Sequence, residues 1–172
     1  MLEIILIAAI LTADQITKYL IQLYLSPVGT SLPLIQGVFH LTNVHNTGAA
    51  WGMMQGFRWL FIPMTLIVCG IIVFILVKYR KRVTVFSRIT LSLLFAGAIG
   101  NLIDRVLLGY VRDFFDFCLI NFPVFNVADS AMTIGCALLI IDALFLKERS
   151  IFERVSLQKG SAKKAAGDGK NA

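Results

Sequence analysis

Apolar residues fall in four long blocks separated by shorter, more polar stretches. The second block, Trp59 to Val77, runs for 19 residues without a charge, close to the roughly 20 that an α-helix needs to cross a hydrocarbon core. The other three carry acids: Leu2 to Leu20 holds Asp14, Ile89 to Leu108 holds Asp104, and Val127 to Leu146 holds Asp129 and Asp142. Their hydropathy still predicts spans, which makes four. The first block lacks the basic start of a secretory signal, and Asp14 and Lys18 occupy the place of a small-residue cleavage site, so it reads as a retained helix. Between blocks one and two, Val38, His40 and Thr42 alternate with Phe39, Leu41 and Asn43, and Pro27, Gly29, Pro33 and Gly37 punctuate the stretch. This period of two predicts short strands on the membrane surface. The fold expected is an all-α membrane protein of four transmembrane helices, with a small β-containing segment between helices 1 and 2.

Composition agrees with that pattern. The chain has 172 residues, 58% of them apolar, and a mean hydropathy of +0.80, values that exclude a soluble domain of this length. Charge adds an orientation. The link after the second span holds Lys78, Arg80, Lys81, Arg82 and Arg88, and the C-terminal region holds Lys147, Arg149, Arg154, Lys159, Lys163, Lys164 and Lys170, together 12 of 16 basic residues. Cytoplasmic loops carry this excess, so both termini are expected in the cytoplasm and residues 21–56 outside. The net charge of +6 is then a topogenic signal. No aromatic interleaving or recognition motif accompanies it, which argues against nucleic-acid binding. Residues 1–155 read as one membrane domain, and 156–172, rich in Lys, Gly and Ala, as a solvated, disordered tail. Cys69 and Cys136 fall within spans, leaving Cys118 alone on the outer side, so no disulfide is available there.

The acids are unevenly placed. With both termini inside, Asp14 lies past the midpoint of span 1, Asn101, Asp104 and Arg105 lie in the outer part of span 3, and Asn126 and Asp129 stand where span 4 enters. Asp113 sits in the link just outside. Ionised groups are costly near hydrocarbon, so several at one depth point to a functional site. Asp142 falls at the opposite end and is expected to face lipid headgroups. Other roles fit the same residues: Asp129 as the N3 partner of an Asn126 helix cap, Asp104 as a partner of Arg105 or Lys18, and Asp116 as a solvated acid. Ala96 and Gly100 in span 3, with Ala131 and Gly135 in span 4, have the spacing of closely packed helices. His40 and His45, five apart in a strand-like stretch, would point to opposite faces, and no HExxH pattern occurs. No metal or other cofactor is expected.

Five blocks in order resemble the lipoprotein signal peptidases of bacteria, or signal peptidase II: Asp14-Gln15-Ile16-Thr17-Lys18, Asn46-Thr47-Gly48-Ala49-Ala50-Trp51, Gly100-Asn101-Leu102-Ile103-Asp104-Arg105, Val111-Arg112-Asp113-Phe114 and Phe125-Asn126-Val127-Ala128-Asp129. The resemblance implies an aspartic endopeptidase of the bacterial inner membrane, with its site at the periplasmic face. Such an enzyme removes signal peptides from prolipoproteins by cutting before a diacylglyceryl-modified cysteine. It places the catalytic pair on Asp113 and Asp129, and site support on Asp14, Lys18, Asn46, Gly48, Asn101, Asp104, Arg105 and Asn126. The implied partners are modified prolipoproteins and membrane lipid, with the protein itself a monomer. Two departures from the family pattern are Trp51, where phenylalanine is common, and Arg112, where an apolar residue is common. Two rival classes are a proton-relaying transporter, which needs acids spread through the membrane, and a non-catalytic scaffold, which would tolerate asparagine at the paired aspartates.

Overall fold

The computed structural model describes residues 1–48, 56–146 and 150–155. The predicted 156–172 tail and the Ala49-Ala50-Trp51 part of the second motif lie outside them. Helix α1 spans Leu2–Tyr24, strands β1 and β2 span Ser31–Ile35 and Phe39–Asn46, and helix α2 spans Arg58–Lys78. Helix α3 spans Val85–Leu107, strand β3 Val111–Asp116, a 3-10 turn Cys118–Ile120, and helix α4 Val127–Phe145. All four helices are long and apolar enough to cross a membrane.

The four predicted spans are found; α1 and α2 run beyond the predicted ends, α3 starts earlier, and α4 stops one residue short at Phe145. Helix α3 starts at Val85, where the Thr84 side chain accepts the backbone N–H of Ser87, so Arg88 belongs to the helix and not to the preceding link. A hydroxyl cap of this kind sets a helix start more firmly than hydropathy does. Helix α3 is the centre of the bundle and contacts each of the other three. Its Ala96 is fully buried. A Cβ on Gly97 would collide with the Ala128 carbonyl oxygen, and one on Gly100 would lie 2.8 Å from Asp14 Oδ2 and 3.0 Å from the Ala128 Cβ. Glycine is therefore what lets α1 and α4 approach this face of α3. Helix α2, by contrast, presents Trp59, Leu66, Ile67, Ile71 and Val77 outward, as a span bordered by lipid does.

The sheet differs from expectation in one respect. Besides β1 and β2 from the predicted segment, a third strand is supplied by the α3–α4 link, giving the antiparallel order β1-β2-β3. Tight turns made possible by Gly37 (φ 70) and Gly109 (φ 84) return the chain before β2 and before β3.

The end away from the sheet has its own polar layer. Asp142 does not face headgroups: it is fully buried and accepts Ser87 Oγ and the Ile151 backbone N–H, both at 2.7 Å. The chain after α4 folds back, burying Ile151 with Ile72 and Leu91, and this brings the Ile151 N–H to the acid, while Ser87 comes from the first turn of α3. Nearby, Glu3 pairs with Arg88 at 2.5 Å and Arg80 at 3.3 Å. These contacts tie α1 to the first turn of α3 and to the α2–α3 connection.

Candidate active site

Strand β3 divides its side chains between two environments. Asp113 pairs across the sheet with Val44, and Arg112 with His45. Val111 and Asp113 line a cavity, whereas Phe114 packs with Ile21 and Leu25 and Arg112 reaches Asp104 of α3. This alternation is the ordinary pleat of a strand. It turns one short link into a wall with an acid on one face and, on the other, anchors to α1 at Ile21, to the Leu25 that caps that helix, and to α3. Asp113 accepts Asn46 Nδ2 at Oδ2, 2.9 Å, and Asn126 Nδ2 at Oδ1, 2.7 Å.

Asp129 is delivered by the start of α4. Asn126 is the cap: its side-chain oxygen accepts the Asp129 backbone N–H at 2.9 Å, and the Asp129 carboxylate accepts the Asn126 backbone N–H at 3.1 Å. The capping box considered as a structural role for Asp129 is thus present, and it coexists with a place in the cavity wall. The other Asp129 oxygen accepts Asn101 Nδ2 at 2.6 Å. Asn126 is the hinge of the arrangement, since its amide binds Asp113 and its backbone binds Asp129. Asn126 Nδ2 also donates to Asn101 Oδ1 at 3.1 Å, closing a ring of Asn126, Asn101 and Asp129 to which Asp113 is joined through Asn126.

Behind the ring lies a buried charge layer. Lys18 Nζ, completely enclosed, pairs with Asp14 Oδ2 at 2.9 Å and Asp104 Oδ2 at 3.5 Å and donates to Asn101 Oδ1 at 3.1 Å. Asp14 Oδ1 accepts the Ala128 backbone N–H at 2.9 Å, fastening α1 to the mouth of α4. Of the partners considered for Asp104, Lys18 is present and Arg105 is not. The stronger partner is Arg112, whose Nη2 meets Asp104 Oδ1 at 2.6 Å. Arg105 turns to the cavity instead, donating to the Gly48 carbonyl at 3.2 Å and lying 4.9 Å over the Phe61 ring.

The cavity has a volume of about 940 Å³. Polar groups, among them Asp113, Asp129, Asn46, Asn101 and Arg105, gather at one part, and the lining elsewhere includes Met64 and Val68 of α2 and Met132 and Ile134 of α4. Burial, and then the neighbouring Asp129 charge, raise the Asp113 carboxyl from its ordinary 3.8 to about 7. Between those two values the folded protein holds a proton that the unfolded chain has released, so stability falls as pH rises through the window. Asp113→Asn removes this dependence. It is expected to be more stable than the parent at pH 8 by about 2 to 4 kcal/mol, with the gain vanishing near pH 4, as read from thermal unfolding in detergent.

Every supporting residue named from sequence joins this site: Asp14, Lys18, Asn46, Gly48, Asn101, Asp104, Arg105 and Asn126. Gln15, Gln22 and the role of Arg112 were not read. The bonds that Gln15 and Gln22 make to Arg112 cross 97 and 90 positions of the chain, and no local pattern marks such a pair. His45 stacks on Tyr110 with ring centroids 3.7 Å apart. Among the described residues, the group of His, Cys and Asp close enough to hold an ion is His40, Asp116 and Cys118, which does not include either cavity aspartate. His40 already has Ser31 Oγ and the Gly37 N–H on its two ring nitrogens, and Asp116 accepts Thr42 Oγ1 at 2.7 Å.

Four spans, of which α2, α3 and α4 line a largely apolar cavity holding two carboxylates, define a multi-pass membrane protein built around a polar site. Comparison with known proteins specifies the kind. Residues 6–145 match the family model described as signal peptidase (SPase) II. A lipoprotein signal peptidase of Brevibacillus brevis is 51% identical over 80% of this chain and 91% of its own length, and that of Clostridioides difficile is 41% identical over 87% and 99%. A solved bacterial membrane enzyme superposes with a TM-score of 0.74 at 40% identity, covering 86% of this chain and 89% of the other. The chain belongs to the signal peptidase II family, aspartic peptidases that remove signal peptides from prolipoproteins.

Proposed function

We propose that Asp113 and Asp129 are the catalytic pair with which this protein cuts prolipoproteins immediately before a diacylglyceryl-modified cysteine. The observation that carries the reading is Asn126, which holds one carboxylate by its side chain and the other by its backbone at the polar part of the cavity. Two such carboxyl groups do not both ionise cheaply, so the pair works with one proton and titrates as a unit. Asp113, raised to about 7, keeps that proton. Asp129, in the first turn of α4 and receiving N–H donors on both oxygens, is the base.

Asp129 takes a proton from water as the oxygen attacks the scissile carbonyl carbon, while the Asp113 O–H polarises the carbonyl oxygen. On collapse the C–N bond breaks, the proton held by Asp129 passes to the departing amine, and the signal peptide leaves with a new carboxylate. No covalent enzyme intermediate forms. Arg105, anchored on Gly48 and Phe61, places a positive charge on the cavity wall near the developing oxyanion.

The remaining apolar lining suits the signal-peptide helix and the lipid of the modified cysteine. Both lie in the membrane already, so a site at membrane depth reaches them without extracting either. The concentration of 12 basic residues in the stretches after the second and fourth spans supports both termini in the cytoplasm, with the site at the periplasmic face of the bacterial inner membrane. In this reading residues 1–155 act as one domain and the protein as a monomer. The test is cleavage of one prolipoprotein with and without diacylglyceryl by the purified protein in detergent. The modified form is expected to be cut at least about 100-fold faster in kcat/KM, and equal rates would remove the lipid from the reading.

A further inference from the structure

Arg112, the departure from the family pattern noted in the sequence, is not a passive neighbour of Asp113. It is buried, and its backbone N–H and Nε both reach Asp104 Oδ2, at 3.0 and 3.1 Å, while Nη2 reaches Oδ1 at 2.6 Å. Nη2 also donates to Gln15 Oε1 at 2.8 Å, and Nη1 to Gln22 Oε1 at 3.2 Å. One side chain thus fastens β3 to α3 and α1, on the face opposite Asp113. The fork of a guanidinium matches a carboxylate in two bonds, which an ammonium cannot do.

Charge counting shows what the clamp adds. The enclosed layer holds Asp14 and Asp104 against Lys18 and Arg112, two of each sign. The carboxylate pair, sharing one proton, carries one negative charge against Arg105. The titratable groups of the elements packed around the pair and this layer are Asp14 and Lys18 from α1, Asp104 and Arg105 from α3, and His45, the cross-strand neighbour of Arg112, from β2. Burial, then the Arg112 charge, hold His45 below its usual value, so it adds no cation at neutral pH. Without Arg112 the layer behind the pair carries one uncompensated negative charge in a poorly screened interior.

Resting on the assignment of Asp113 and Asp129 above, we propose that Arg112 is a positioning residue for cleavage: its bidentate grip on Asp104 fixes Asp113 in the site and keeps the layer behind the carboxylate pair neutral. A lost cation makes the pair hold its proton more tightly. The alkaline limb of the kcat profile, where Asp113 gives up the shared proton, then moves to higher pH.

The experiment is the pH dependence of kcat and KM on modified prolipoprotein, with purified full-length protein and thermal unfolding measured in parallel. Arg112→Met is expected to lower kcat at least tenfold with KM within twofold, and to move the alkaline limb upward by half a pH unit or more. Arg112→Lys, which keeps the charge and loses the fork, is expected to lower kcat with the limb unmoved. Arg112→Met combined with Asp104→Asn removes one charge of each sign and returns the limb to its parent position. A limb that stays put in Arg112→Met, or moves equally in Arg112→Lys, overturns the proposal. If Arg112→Met does not fold, the paired variant is expected to fold with the parent limb. Failure of both to fold would show that Arg112 serves packing and not charge balance. A parent protein that cuts nothing would instead overturn the cleavage reading itself.

Discussion

Lys18→Met is expected to lower the apparent Tm in detergent by about 10 °C and to remove nearly all cleavage. Lys18 has no solvent exposure, and it is the cation common to Asp14 and Asp104. Truncating one partner of a buried ion pair costs about 3 to 5 kcal/mol because the other charge is left uncompensated. Total stabilities are about 5 to 15 kcal/mol, so this is a large share, and at about 2 to 4 °C per kcal/mol for a chain of this size it gives the shift stated. Activity suffers by a second route. Lys18 also donates to Asn101 Oδ1, and that amide presents its nitrogen to Asp129. Lys18→Met with Asp14→Asn is expected to recover part of the stability. Lys78→Met, an exposed change, is the control and should shift Tm by no more than about 2 °C.

The spans were legible because 19 uncharged residues have few other uses, and the motif residues because their polarity is conspicuous in such a chain. Strand β3 was not. Val111–Asp116 holds three charged residues in six, so its alternation is not of polar against apolar positions: Arg112 and Asp113 are both buried, on opposite faces. The pairing that creates it is with β2, more than 60 positions earlier, and a short link gives no sign of that partner. Asp142 was misread for a related reason. A lone acid near the end of a span normally finds water, and its actual donors are Ser87, 55 positions earlier on α3, and Ile151, brought to it by the return of the chain after α4. The Asn126 cap, a local motif within four residues, was readable, whereas its bond to Asp113 across 13 positions was not.

The roles of the two aspartates are tested most directly by turnover of modified prolipoprotein by Asp113→Asn, Asp129→Asn and the double variant, each purified and shown to be folded. Asparagine keeps the shape of aspartate and loses both the base and the shared proton. Each single variant is therefore expected to fall by at least about 10³-fold in kcat, and the double variant to be hardly worse than either, because the pair acts as one unit. Asp116→Asn, on the same strand and bound to Thr42, is expected to retain most of the parent rate. Cleavage by either folded single variant at more than about one-twentieth of the parent rate would contradict the assignment and move the chemistry to another acid.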